Sequence, residues 1–116
     1  MSWYWYVCMI KWKKDALDHA KECDPSESCG LLVKIKNKNK YWACKNICTN
    51  NIDCFVIDPN DWIEAEDSGD LQAIIHSHTQ GSTSPSEADV VGCNTTKLTW
   101  YIVNPKTEEW TQLQPQ

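Results

Sequence analysis

The segment that most constrains the fold is the nearly continuous apolar run over residues 29–35, in which only Lys34 is charged. A strand with one face in water alternates apolar and polar residues, whereas this run leaves no polar face. It therefore predicts a strand that is buried on both sides, in a sheet with further layers packed against it. The lysines and asparagines that follow predict a solvated hairpin tip, with residues 41–45 pairing back.

Three further segments predict helices. Apolar residues recur at helical spacing over residues 11–23, and Asp24-Pro25 predicts the end of that helix. A short helix is predicted to begin at Pro59 and to run through Ala65, with Ser68-Gly69 closing it. The third helix is marked by a predicted capping box and a helix-starting proline: Ser84 as N-cap, Pro85 at the first helical position, Glu87 as the box partner, and an end near Thr95.

The remaining segments predict strands. Residues 2–9 are rich in aromatic side chains and would place alternate residues on one face of a strand, with an amphipathic membrane anchor as the alternative. Strands that alternate with helices indicate an α/β fold with a single mixed sheet flanked by helices. We expect one domain over residues 1–113, with residues 114–116 as a tail or the start of a linker. The other predicted strands are residues 53–58, 71–77, 98–103 and 109–113.

The charge balance argues against nucleic-acid recognition. The chain carries 16 acidic residues against 11 basic ones, a formal charge of −5, and every basic residue is lysine. Proteins that read DNA or RNA usually present a basic face, and arginine makes the commonest specific base contact. We therefore expect no nucleic-acid partner.

The cysteines and the amino terminus indicate the compartment. Seven cysteines are an odd number, and a reducing compartment fits them best. Cys44, Cys48 and Cys54 do not have the spacing of a zinc site, so we expect them to be small, buried apolar side chains. The apolar residues 2–10 are followed by lysines and lack a cleavage site, so no signal peptide is predicted. They are also shorter than the about 20 residues that a membrane-spanning helix needs.

The candidate chemistry centres on His76 and His78. Side chains two positions apart point to the same side of a strand, so a strand ending near these residues would carry both imidazoles to one point. Asp89 falls one turn into the third predicted helix, with Ser86 on the same helical face. Two imidazoles and one carboxylate, with a fourth position open, are the ligand set of a catalytic zinc site. His19, which lies off the apolar stripe of the first helix, is expected to be a solvated surface residue.

The spacing of these residues resembles a known metalloprotease signature. His76 and His78, followed by Ser86 and Asp89, match the complete His-x-His-x7-Ser-x2-Asp pattern of the JAMM family, also called MPN-plus. In its bacterial and viral members, that family has a glutamate just before a Cys-Gly-Leu strand. This chain has Glu27 at the corresponding position.

The resemblance implies an MPN/JAB architecture, which is like that of cytidine deaminases, and a Zn²⁺ ion held by His76, His78 and Asp89. It implies amide-bond hydrolysis by a metal-activated water. In that reaction Glu27 would be the general base, and Ser86 would donate a hydrogen bond to the oxyanion.

A narrower resemblance is to the amino-terminal domain of the tail assembly protein K family of lambda-like bacteriophages. It rests on the two blocks above together with residues 65–69 and 100–103. It implies a protein or peptide substrate, partners among the phage tail-tip proteins, and action in the host cytoplasm during assembly or in the virion tail. Proteins of this kind often continue into a cysteine peptidase domain of the NlpC/P60 type.

Three functions stay open at this point. The first is a peptidase that acts in tail-tip assembly or on cell-wall peptide when the phage enters the cell. The second is a non-catalytic MPN-type scaffold or assembly protein, and the third is a bacterial JAMM peptidase that processes a ubiquitin-like or sulfur-carrier protein. Retention of the whole residue set favours an enzyme. One departure is Thr79, where the family usually has proline after the second histidine.

Overall fold

The computed structural model describes the backbone of residues 3–116 and the side chains of residues 11–116. The elements in chain order are α1 (Trp3–Cys23), β1 (Cys29–Ile35), β2 (Lys38–Cys44), α2 (Pro59–Ser68), β3 (Asp70–Ser77), α3 (Glu87–Thr96), β4 (Thr99–Val103) and β5 (Trp110–Leu113). The five strands form one sheet in the order β2-β1-β3-β4-β5. Because β3 and β4 are parallel while the other neighbours are antiparallel, the sheet is mixed, as predicted.

Both faces of β1 are covered, as its apolar run predicts. Leu31 and Val33 lie in a buried cluster with Ile74 of β3, to which α2 and α3 also contribute side chains. Leu32 points to the opposite face and lies in a second cluster with Trp12 of α1. Helix α1 therefore covers one face of the sheet, and α2 and α3 cover the other.

Local signals in the sequence fix several element ends. The β1–β2 hairpin turns at Lys36 and Asn37, whose φ angles of 51° and 66° are those of a tight two-residue hairpin turn. Helix α1 ends at Cys23, directly before Asp24-Pro25. Asp58 caps α2 by accepting a hydrogen bond from the backbone N–H of Asn60.

The strand predicted over residues 2–9 is wrong. Helix α1 begins at Trp3 and runs for 21 residues, so most of that segment extends the predicted helix; Ser2 lies outside the described residues. A short apolar run cannot be assigned by periodicity alone, and here the helical pattern that follows it continues upstream. In the part of the chain that the structure describes, no helix is both long enough and apolar enough to cross a membrane.

The strand predicted over residues 53–58 is also wrong. These residues belong to the 45–58 loop, which connects β2 to α2 and shows, among described residues, one isolated bridge between Asn46 and Ile57. The side chain of Asn46 replaces a strand partner, because its Oδ1 accepts the N–H groups of Cys48 and Val56 and its Nδ2 donates to the carbonyl of Cys54. The loop is thus held by the hydrogen bonds of one side chain instead of by backbone hydrogen bonds between paired strands.

A disulfide closes the same loop. Cys48 and Cys54 form a disulfide with each other and are only partly buried, so the expectation that they are small, buried apolar side chains is wrong for these two. Cys44 is free and buried, as predicted. The other free cysteines among the described side chains are Cys23, Cys29 and Cys93.

The surroundings of His19 differ from expectation. Its ring is half-buried against β2, and its Nδ1 lies 2.6 Å from the hydroxyl of Tyr41, so it is not a solvated surface residue. This burial lowers the pKa of His19.

Candidate metal centre

The two histidines of the signature lie at the carboxyl end of β3. His76 is within the strand and fully buried, whereas His78 follows the last strand residue and is half-buried. Their ring centroids are 5.1 Å apart, so both imidazoles reach one point, as the alternation of the strand predicts.

The carboxylate of Asp89 lies between the two rings. Its Oδ1 is 3.0 Å from His76 Nε2, and its Oδ2 is 3.0 Å from His78 Nε2. Among the residues that the structure describes, these three form a group that could hold a metal ion, with one ligand atom of each within 4.8 Å of the others. Strand β3 and helix α3 thus bring the predicted ligands together.

The start of α3 differs from the prediction and places Asp89 differently within the helix. Ser86, not Ser84, is the N-cap: its Oγ accepts the N–H of Asp89, and the Asp89 carboxylate accepts the N–H of Ser86. Pro85 and Glu87 therefore do not have their predicted capping positions. Asp89 completes the capping box while it contacts both histidines.

The hydrogen bond of His78 to the main chain fixes its tautomer. Its Nδ1 is 3.1 Å from the carbonyl oxygen of Ser82, which can only accept a hydrogen bond. In the neutral ring the proton is therefore on Nδ1, and Nε2 has a free lone pair that faces Asp89. A backbone carbonyl that orients a histidine in this way is usual behind metal-binding imidazoles.

His76 is enclosed and poorly hydrogen-bonded. Phe55 stacks on its ring at 4.4 Å and 25°, and the Trp100 ring meets it edge-on at 5.6 Å. Neither ring nitrogen makes a well-aligned hydrogen bond to any described side chain, although carboxylates lie near both. A buried nitrogen without a partner is costly, and a cation between His76 and Asp89 would satisfy Nε2 of His76.

Burial and the neighbouring charges shift the pKa values of this cluster in opposite directions. Burial alone would raise the pKa of Asp89, but the imidazoles of His76 and His78 and the N–H of Ser86 hold it well below its usual range. Burial alone would lower the pKa of His76, but the carboxylates of Asp89 and Glu27 raise it. The Asp89 carboxylate likewise raises the pKa of His78. Asp89 is therefore ionised at neutral pH, as a metal ligand must be.

Glu27 reaches the same site from the residues before β1. Its side chain is buried, and its Oε1 lies 3.5 Å from His76 Nδ1. Its N–H donates to the carbonyl of Asn51, and its carbonyl accepts from Asn46 Nδ2. The 45–58 loop therefore holds the main chain of Glu27 on both sides.

A cleft of about 600 Å³ adjoins the centre. Glu27, His78, Ser86 and Asp89 line one part of it, and mostly apolar side chains line the rest, including Phe55, Trp62 and Trp100. No signal in the sequence marks these three as site residues. Phe55 lies in a loop that was predicted as a strand, and no spacing rule links an aromatic residue to a metal-binding motif.

The donor set fits a catalytic zinc ion. Two imidazole nitrogens and one carboxylate oxygen, beside an open cleft, leave room for a further ligand, whereas structural zinc sites are closed and rich in cysteine. Thr79, at the position where proline was expected, is buried, and its hydroxyl is 3.5 Å from the carbonyl of Ile52. All five residues of the predicted site thus lie together at the end of β3.

Known protein sequences are similar to this chain. A sequence profile of prokaryotic homologs of the JAB domain matches residues 10–114. The tail tip assembly protein K of Escherichia phage N15 is 35% identical over 97 residues, which are 84% of this chain and 40% of that protein. The chain therefore spans less than half the length of this relative.

Solved structures share the fold. A protein from Desulfitobacterium hafniense has a TM-score of 0.66 at 21% identity, over 88% of this chain and 77% of that chain. A JAB1/MPN domain protein from Archaeoglobus fulgidus has a TM-score of 0.56 at 22% identity, over 89% and 83%. These likenesses concern the fold alone, and they confirm the predicted MPN/JAB architecture.

Proposed function

Because this chain belongs to the prokaryotic homologs of the JAB domain, we propose that it is a zinc-dependent peptidase that hydrolyses an amide bond of a protein or peptide during phage tail-tip assembly. The observation that carries the proposal is the position of Asp89, whose two carboxylate oxygens each lie 3.0 Å from an imidazole Nε2 beside an open cleft. In this proposal, His76, His78 and Asp89 hold the ion. Zinc bound there would supply a nucleophile at neutral pH by lowering the pKa of a water to about 7.

Glu27 is the proposed general base. Its carboxylate faces the cleft near His76, and its main chain is held by the 45–58 loop, so it has little freedom to turn away. It would accept a proton from the attacking water and later deliver it to the leaving amine. General acid–base catalysis of this kind contributes about 10²–10⁴-fold to the rate.

Ser86 is the proposed donor to the oxyanion. Its hydroxyl oxygen accepts the N–H of Asp89, and a hydroxyl has a second lone pair and one proton still available. Ser86 is exposed and lines the cleft, so that proton can reach the carbonyl oxygen of a bound substrate. One such donor contributes about 3–4 kcal/mol to transition-state stabilisation in other acyl-transfer enzymes.

The named relative supports the biological setting. Tail tip assembly protein K of phage N15 is longer than this chain, and the match covers 40% of it. We propose partners among the tail-tip proteins, with action in the host cytoplasm during assembly or in the virion tail. A longer parent chain would accommodate a second peptidase domain of the NlpC/P60 type.

Zinc content and hydrolysis by a base-deficient variant test this function together. We expect protein purified without chelator to carry about one zinc per chain. Glu27→Gln should keep that zinc, because only the base is removed, while hydrolysis of tail-tip protein falls by about 10²–10⁴-fold. Both would be measured by metal analysis and by mass spectrometry of the digests.

The matched control is Glu66→Gln, an exposed glutamate of α2 that does not line the cleft. It should retain both zinc and activity. Folded protein without zinc would overturn the metal assignment. A zinc-loaded wild-type protein that hydrolyses no tail-tip protein, together with normal infectivity of phage that carry Glu27→Gln, would instead identify a scaffold.

A further inference from the structure

We propose that the cleft is a specificity pocket for a bulky apolar side chain, aromatic or branched, next to the scissile amide. The inference rests on the proposed peptidase function and adds to it the chemical class of the substrate. Such a pocket would bind a hydrophobic segment of a protein better than a short peptide built from alanine and acidic residues. The cleft walls, the surrounding charges and the continuity with the metal centre support it separately.

The walls of the cleft are apolar and well supported. Ile74 and Trp100 form a floor that belongs to the buried core, so the shape of the pocket is fixed by the sheet. Phe55, Ile57 and Trp62 line the sides, and all three pack partly against the same core cluster. A volume of about 600 Å³ is within the range of about 300–1,000 Å³ typical of preformed ligand sites.

The polar atoms of the floor are already satisfied. Trp100 Nε1 donates to Thr96 Oγ1, and that hydroxyl in turn lies 2.9 Å from the carbonyl of Gly92. A polar substrate side chain would therefore find no partner on the floor, and its desolvation would go uncompensated. An apolar side chain gains about 25 cal/mol per Å² of surface that it removes from water.

The charge around the cleft disfavours acidic substrates. The charged residues that line it are acidic, Glu27, Asp53 and Asp89, with no lysine among the described lining residues. The charge of the proposed zinc would offset two of these carboxylates, which leaves one net negative charge to repel a substrate carboxylate. Glycine or alanine would leave the apolar walls in contact with water. A large apolar residue avoids both costs, whereas a lysine avoids them only by bringing its ammonium group against apolar walls, where its desolvation is costly.

The pocket is continuous with the candidate catalytic residues. Glu27, His78, Ser86 and Asp89 line the same cleft as Phe55 and Trp100, and Phe55 stacks on His76. An amide placed between Ser86 and Glu27 would therefore have its neighbouring side chain against the apolar walls. Two substrates that differ by one methylene in a hydrophobic pocket differ in kcat/KM by about 10–200-fold.

A peptide series tests the pocket. Internally quenched peptides that differ only in one residue beside the scissile bond, glycine, aspartate, lysine, leucine or phenylalanine, would be offered to the zinc-loaded protein. We expect kcat/KM for the leucine and phenylalanine peptides to exceed that for glycine and aspartate by at least about tenfold. Binding would be measured separately by fluorescence anisotropy on Glu27→Gln protein, where no turnover is expected.

Val56→Asp is the informative variant. Val56 lines the cleft but is 48% exposed, so the change adds a charge to the pocket without disturbing the core. It should lower kcat/KM for the phenylalanine peptide about tenfold and raise kcat/KM for the lysine peptide. The control is Val91→Asp on α3, which is 62% exposed and lies outside the cleft, and it should leave the ranking unchanged. Val56→Lys is a second variant for the case that the first folds poorly. It should instead raise kcat/KM for the aspartate peptide.

The outcomes separate the two proposals. Tight binding of apolar peptides without cleavage by wild-type protein would support the pocket and overturn the peptidase. Cleavage that is equally fast for glycine, aspartate and phenylalanine would overturn the pocket and leave the peptidase standing. Identical rankings for Val56→Asp and Val91→Asp would also overturn the pocket.

Discussion

Two regions enclose the cleft, and they are built in different ways. The β3–α3 edge, residues 76–89, carries the candidate metal ligands at the end of a strand and on the first turn of a helix. The 45–58 loop carries Phe55 and the contacts that hold Glu27, and it depends on the side chain of Asn46 and on a disulfide. In this domain regular structure positions the metal ligands, whereas irregular structure shapes the space where a substrate would lie.

The largest effect is expected from a change in the β3–α3 edge. Asp89→Ala would leave two imidazoles, too few for a tight zinc site, so zinc and hydrolysis should both be lost. It would also remove the acceptor of the Ser86 N–H. Metal analysis checks this result, with Glu87→Ala, an exposed acidic residue in the same turn, as a control that should keep its zinc. Full zinc occupancy in Asp89→Ala would show that the ligand set is different.

A change where the loop meets the edge should have the next largest effect. Phe55 is partly buried and stacks on His76, so Phe55→Ala should lower the free energy of unfolding by about 2–3 kcal/mol, below the about 3–5 kcal/mol of a fully buried ring. Urea denaturation measures this, and the neighbouring Val56→Ala, at an exposed position, should cost far less. Zinc should still bind, because no ligand is removed. Equal losses for the two variants would mean that the loop does not support the centre.

The disulfide comes third. Replacing both Cys48 and Cys54 by serine should cost about 2 kcal/mol, because the loop that this bond closes is short. Zinc stoichiometry should not change, while hydrolysis should fall, because Asn51, which accepts the N–H of Glu27, lies within the closed loop. Thermal unfolding with and without reductant is the measurement, and reductant should have no effect on the double variant. A wild-type protein that is indifferent to reductant would contradict the prediction.

The smallest effect is expected at the helix cap. Ser86→Ala should lower the free energy of unfolding by about 1 kcal/mol. Ser86→Gly should lower it by only about a few tenths of a kcal/mol, because glycine is tolerated at the N-cap. If Ser86 also donates to the oxyanion, both variants should show the same lower kcat. Thermal unfolding and steady-state kinetics separate the two effects. Normal turnover in Ser86→Gly would limit the role of Ser86 to the cap.

The same division explains what the sequence could predict. The positions of His76 and His78 follow from strand alternation, and the buried run of β1 predicted a sheet that is covered on both faces. The start of α3 was misplaced because two overlapping patterns fit a capping box, one from Ser84 and one from Ser86. The second forms in the structure, where the Asp89 carboxylate also lies between the imidazoles, a tertiary contact that no local rule contains.

The loop could not be predicted in the same way. Residues 55–57 have the apolar, β-branched and aromatic composition of a strand, yet β-propensity reports how well side chains fit a half-buried surface and not whether a partner strand is available. The Asn46 side chain occupies the backbone groups that a partner strand would need. Pairing of Cys48 with Cys54 likewise depends on the folded chain path, since neither spacing nor an odd cysteine count selects partners.

The separation along the chain between Glu27 and the ligands has a consequence for the order of folding. The candidate ligands all lie within residues 76–89, so the contact between them closes only a short segment of chain. Glu27 joins them only after β1 has paired with β3 across an intervening hairpin, loop and helix, a contact that closes a far longer segment and forms more slowly. We therefore expect the candidate ligands to meet before Glu27 reaches them, so that the proposed base is the last part of the site to form.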